Sequence, residues 1–94
     1  MNKTTSLTLI EGDFSDDEAR EILINIFSSK INFHNIKNWS SQERYGKDDE
    51  IAQARIPALK IEIEKLKEIL LEAKAQNKRL QVSSQINISL LDNS

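Results

Sequence analysis

Residues 30–47, KINFHNIKNWSSQERYGK, hold the side chains of this sequence best suited to chemistry. Lys30, His34, Lys37, Arg44 and Lys47 are interleaved with Phe33, Trp39 and Tyr45. Cations hold phosphate oxygens and aromatic rings stack on bases, so the pattern fits a nucleic-acid or phosphate-ligand surface. On a helix, Lys30, His34 and Lys37 share one face. A purely structural use of the same residues competes with this. Ile31, Phe33, Ile36 and Trp39 are enough apolar mass to seal the end of a two-helix layer. His34 with Asn32, Asn35 and Asn38 can satisfy backbone groups at such a corner. The corner is the first reading and the ligand surface the second. The ligand-binding candidates are Lys30, His34, Lys37, Trp39, Arg44 and Tyr45.

Catalytic constellations are sparse. With one histidine, an acid–base relay has to be built on His34. No serine sits in a Gly-x-Ser-x-Gly turn. The two glycines, Gly12 and Gly46, are too far apart to cradle a phosphate. No cysteine is present, which removes disulfides, thiolate nucleophiles and thiolate metal sites. Glu11, Asp13, Asp16, Asp17, Glu18 and Glu21 form an acidic cluster, but their spacing does not match a calcium loop. Helix capping accounts for most of it. The expectation is therefore no catalytic residue, no metal, no cofactor and no enzymatic activity.

The elements that must position these residues are legible in the patterning. Residues 4–10 alternate as a strand, with Thr5, Leu7 and Leu9 on one side and Ser6, Thr8 and Ile10 on the other. Glu11-Gly12-Asp13 supplies turn chemistry. Ser15-Asp16-Asp17-Glu18 is a capping box opening a helix over 15–30. Ala19, Ile22, Leu23, Ile26 and Phe27 make its apolar stripe. A corner with a short helix follows over 31–46, because Ser40-Ser41-Gln42-Glu43 repeats the capping pattern and Gly46 can end a turn. A second long helix spans 48–79, with a kink or a late start expected at Pro57. Ile56, Leu59, Ile63, Leu66, Leu70, Ala73, Asn77 and Leu80 form a heptad seam along it. Asn77 has two readings, a buried register-setting polar residue or a hydrated residue near the helix end. Residues 80–91 alternate as a strand, with Leu80, Val82, Ile86, Ile88 and Leu90 expected to face the helices.

The fold class is α+β: strand, helix, helix, strand, with an antiparallel helical hairpin on a small antiparallel sheet. The chain has 94 residues, 38% apolar and 30% charged, with a net charge of −2, which suits one domain. Neither nucleic acid nor an anionic membrane is strongly attracted by that charge. No segment is long and apolar enough to span a bilayer or serve as a signal peptide, so a cytoplasmic location is expected. A two-stranded sheet is marginal alone, and its edges invite further pairing. A homodimer is therefore the expected state, with another protein as the alternative partner. The block KINFHNIKNWSSQERYG, residues 30–46, resembles a segment of small bacterial proteins with no assigned function. That resemblance implies a bacterial source and carries no functional residue.

Overall fold

The structure, a computed structural model, describes residues 3–93. Four elements follow in order: β1 (Thr4–Phe14), α1 (Asp16–Tyr45), α2 (Glu50–Ala75) and β2 (Leu80–Ser89). The strands pair antiparallel into a two-stranded sheet, and the fold is α+β as the patterning requires.

Helix α1 begins at the capping box. The Glu18 amide donates to the Ser15 hydroxyl at 3.1 Å, and the Ser15 amide donates to the Glu18 carboxylate at 2.9 Å. The Ser15 amide first, and then the Ser15 hydroxyl, hold the Glu18 carboxyl below its usual range. The helix does not end near residue 30. It continues through the expected corner to Tyr45, so residues 31–45 are its C-terminal half. No glycine or proline lies between Gly12 and Gly46 to break it. The Ser40–Glu43 capping pattern stays inside the helix, because an N-cap needs extended backbone that this segment never adopts. Gly46 ends α1 in the left-handed conformation, φ 67°, and donates its amide to the Gln42 carbonyl at 2.9 Å.

The true corner is the short link from Gly46 to Asp49. Asp49 caps α2, its side chain accepting from the Ala52 amide at 2.9 Å. Asn38, two turns back in α1, accepts from the Asp49 amide at 2.8 Å and from Gln53 Nε2 at 3.4 Å. This side chain fastens the start of α2 to α1. Helix α2 starts at Glu50 and runs through Pro57 without a break. Proline leaves the Gln53 carbonyl without its helical donor, but both residues are exposed and water can replace it. The helix ends at Ala75, short of 79. Asn77 adopts φ 54°, the Asn77 amide donates to the Lys74 carbonyl, and the Lys78 amide donates to the Ala73 carbonyl at 2.8 Å. That pair of bonds is a Schellman stop, with asparagine in the place glycine usually takes. Asn77 is therefore a hydrated helix terminator and sits outside the seam.

Leu59, Leu66, Leu70 and Ala73 of the seam are buried, and Ile56 and Ile63 are half-buried. The tightest packing is where Ala19 meets Leu66 and Leu70, ringed by Phe14, Leu23, Ile24, Phe27 and Leu80. Leu70 is 1% exposed. Ala19, Ala52 and Ala73 are small enough to let the helices approach closely.

Strand β1 extends to Phe14 rather than turning at Gly12, which pairs with Val82 beneath the Phe14 ring. The ladder slips between Thr8 and Ile10, making Leu9 the extra residue of a β-bulge. The bulge changes which face Ile10 occupies. Leu7 pairs with Ile86 and Ile10 with Ser84, so Leu7 and Ile10 lie on the same face, not on opposite ones. That face carries Leu7, Ile10, Phe14, Leu80, Val82, Ile86 and Ile88. The other carries Thr4, Ser6, Thr8, Glu11 and Asp13 with Gln81, Ser83, Gln85, Asn87 and Ser89.

The helices cover only part of the apolar face. Ile10 is buried and Phe14, Leu80 and Val82 are half-buried, but Ile86 is 41% and Ile88 46% exposed, and Leu90 is more exposed still. Only the end of the ribbon nearest the helices is covered. The molecule measures 50 × 36 × 15 Å. A width of 36 Å far exceeds the spacing of two packed helices, about 10 Å, so the ribbon runs out sideways from the hairpin.

Candidate functional site

Residues 30–45 of α1 carry every candidate side chain, and helical geometry decides which of them meet. Lys30, Lys37 and Arg44 recur every seven residues, almost two full turns, so they share one exposed stripe. Phe33 lies between the first two. Lys30 Nζ is 4.9 Å and Lys37 Nζ 5.8 Å from its ring centroid. Both ammonium groups therefore face the negative charge density of the ring.

The other three candidates leave this stripe. Trp39 is two residues beyond Lys37, hence about 200° round the helix, and is 63% exposed on a different side. Tyr45, 69% exposed, closes the helix beside the link to α2. His34 points inward and is buried against α2. Its ring meets Phe33 edge-on, with centroids 5.4 Å apart and an interplanar angle of 74°. Its Nε2 is buried with no hydrogen-bond partner among the described residues. No carboxylate reaches that nitrogen, so an acid–base relay through it is not assembled among the described residues. The structure thus joins Lys30 and Lys37 over Phe33, with Arg44 two turns further along the same stripe. Tyr45 lines a shallow pocket with Lys37 and Arg44 at the end of that stripe, whereas Trp39 lies on another side and His34 is buried.

Two apolar features were not evident from residue types alone. One is an open groove of about 600 Å³ lined by Ile26, Phe27, Lys30, Phe33 and Leu59. Ile26 and Phe27 look like core residues by periodicity, and only the spacing of the two helices shows that they are incompletely covered. The other is the far end of the ribbon, where Leu7, Leu9, Ile86, Ile88 and Leu90 are all exposed. The alternation of β2 marks Ile86, Ile88 and Leu90 as an inner face but does not say how far the helices reach.

On the polar face, side chains bridge the strands. Thr4 Oγ1 and Ser89 Oγ are 2.7 Å apart, and Ser6 Oγ donates to Asn87 Oδ1 at 2.7 Å. Among the described residues no three His, Asp or Glu side chains come together as a metal site, and no helix is long and apolar enough to cross a membrane. Comparison with known protein families, characterised proteins and solved structures finds no match to this chain.

Proposed function

We propose that this chain is a non-enzymatic protein–protein interaction subunit. It acts as a homo-oligomer, in the first place a homodimer, or as a small adaptor, in the bacterial cytoplasm. The observation that carries this reading is surface area. The chain exposes 7647 Å². A compact monomer of 10.8 kDa exposes about 5,500 Å². Its radius of gyration is 17.0 Å, against about 12 Å for a compact domain of this length. The excess, roughly 2,000 Å² on one chain, is more than the roughly 800 Å² that each partner buries in a standard protein interface. Exposed apolar side chains contribute to it at the ribbon end and along the helices at Phe33, Ile36, Ile61 and Ile69. Sedimentation equilibrium at micromolar concentration is the test. A dimer that dissociates when Ile86 is changed to Asp supports the reading, and a clean wild-type monomer removes its main support.

A second reading rests on the Lys30–Lys37–Arg44 stripe, a phosphate or nucleic-acid contact with Phe33 beneath it. Single-stranded RNA titrated at low salt should then bind with a steep salt dependence. Loss of that binding in a Lys30→Ala, Lys37→Ala double variant would support the stripe, and no salt-sensitive complex would count against it.

A further inference from the structure

The free edge of β2 is self-complementary in both hydrogen bonding and apolar face. The Leu90 amide donates to the Lys3 carbonyl at 3.1 Å. Residue 90 therefore points its backbone groups toward β1. In an antiparallel ladder these directions alternate along the strand, so Ile88 and Ile86 also point toward β1. Gln81, Ser83, Gln85, Asn87 and Ser89 then point their N–H and C=O groups outward, where no strand among the described residues lies. The close side-chain contacts of Ser89 with Thr4 and of Asn87 with Ser6 fit this assignment, because pairs without mutual backbone bonds sit closer together.

Nothing on this edge discourages pairing. Leu80–Ser89 contains no charged residue, no proline and no bulge. The free edge of β1 differs, since the bulge at Leu9 interrupts it and Glu11 and Asp13 follow.

Resting on the homo-oligomer reading above, we propose that two copies of this chain join along β2 into one four-stranded antiparallel sheet, in the order β1-β2-β2-β1. The two-fold axis passes through the sheet with Gln85 opposite the partner's Gln85. Parity requires such a register. The outward residues are all odd-numbered, so they hydrogen-bond only when odd meets odd. The same rule puts the even-numbered apolar residues of both copies on one face. A slip of one residue loses both.

In this register Ile88 lies opposite the partner's Val82, and Leu90 opposite the partner's Leu80. Both helices join the ribbon at its Phe14 and Leu80 end. Each uncovered patch is thereby carried beside the end of the partner's sheet that bears the partner's helices. One arrangement accounts for the free edge and the half-covered face, and it draws on the excess surface, of which a standard interface needs about 800 Å² per partner.

Amide hydrogen exchange on the wild-type protein, together with sedimentation, tests this. Ile86 and Ile88 amides are protected by β1 in any state. Ser83, Gln85 and Asn87 amides are protected only if β2 is paired on its outer edge. Protection of all five, rising with protein concentration, is expected. Gln85→Pro removes an outward donor in each copy and leaves the inner ladder intact. It should raise the dimer Kd at least about 100-fold while Ile86 and Ile88 stay protected. Free exchange at Ser83, Gln85 and Asn87 in a dimeric wild type, or a Gln85→Pro protein that remains folded and dimeric, overturns the β2 interface but not the homo-oligomer reading. A monomeric wild type with those three amides unprotected overturns both. The exchange pattern needs no variant, so it decides the matter even where the proline substitution prevents folding.

Discussion

Asn38→Ala probes the contact that turns one long helix and a short link into a hairpin. Asn38 Oδ1 accepts from the Asp49 amide at 2.8 Å and, more weakly, from Gln53 Nε2 at 3.4 Å. Asp49 is half-buried and itself caps α2 through the Ala52 amide. Removing the acceptor leaves the Asp49 amide short of a partner, which costs about 1–3 kcal/mol. Alanine returns roughly 0.6 kcal/mol through its higher helix propensity. A net loss of about 1 kcal/mol remains, equivalent to a Tm decrease of about 4–8 °C for a domain of this size. Asn35→Ala is the matched control. It lies one turn earlier in α1, is exposed, and makes no such bond, so only the propensity gain applies and its Tm should hold or rise slightly. Thermal unfolding followed by far-UV circular dichroism, at one fixed protein concentration, reads both. Faster exchange of the Asp49 amide in Asn38→Ala would localise the effect. Equal melting temperatures for the two variants would refute the idea that Asn38 fastens α2 to α1.

Leu70→Ala should cost about 2–5 kcal/mol in denaturant unfolding, because the side chain is fully enclosed between Ala19 and Leu66. Its neighbour Leu71 is exposed, and Leu71→Ala should change stability by less than about 0.5 kcal/mol. A reversed order would mean that α2 is rotated about its axis. Glu18 carries a pH dependence of known sign. Its carboxyl is held below the ordinary carboxylate range by the Ser15 amide and hydroxyl, so the folded state binds that proton less readily than the unfolded chain. The contribution is complete above the unfolded pKa and disappears as pH falls through the lowered folded value. Glu18→Gln should flatten stability against pH in that acidic window while leaving the neutral-pH fold intact, as read by urea midpoints between pH 2 and 6.

The order and type of all four elements were legible in the sequence because each rests on local chemistry. Ser15 and Glu18 are three residues apart, and the alternation of β2 needs only its own residues. The seam from Leu59 to Ala73 is likewise a matter of period. The boundary near residue 30 was not legible, because a second capping pattern at Ser40–Glu43 looks the same within a helix as at its start. What distinguishes the two cases is whether Asn38 and His34 find α2 beside them. The unbroken run without glycine or proline from Asp13 to Tyr45 was the available signal.

Other features depend on contacts distant in sequence. Parity along β1 assigns Ile10 to the face opposite Leu7. Pairing with β2 inserts a bulge at Leu9 and brings Ile10 to the apolar side, where it can be buried. Residues 30–47 show which cations and rings are present. The rotation of α1 against α2 decides that His34 faces inward, that Lys30 and Lys37 sit over an exposed Phe33, that Tyr45 joins Lys37 and Arg44, and that Trp39 stands apart. Periodicity by itself determined which residues of this protein share a face. Only the tertiary structure decided how much of each face is covered, because cover is supplied by another part of the chain: the helices reach Ile10 and Val82 and leave Ile86 and Ile88 to the solvent.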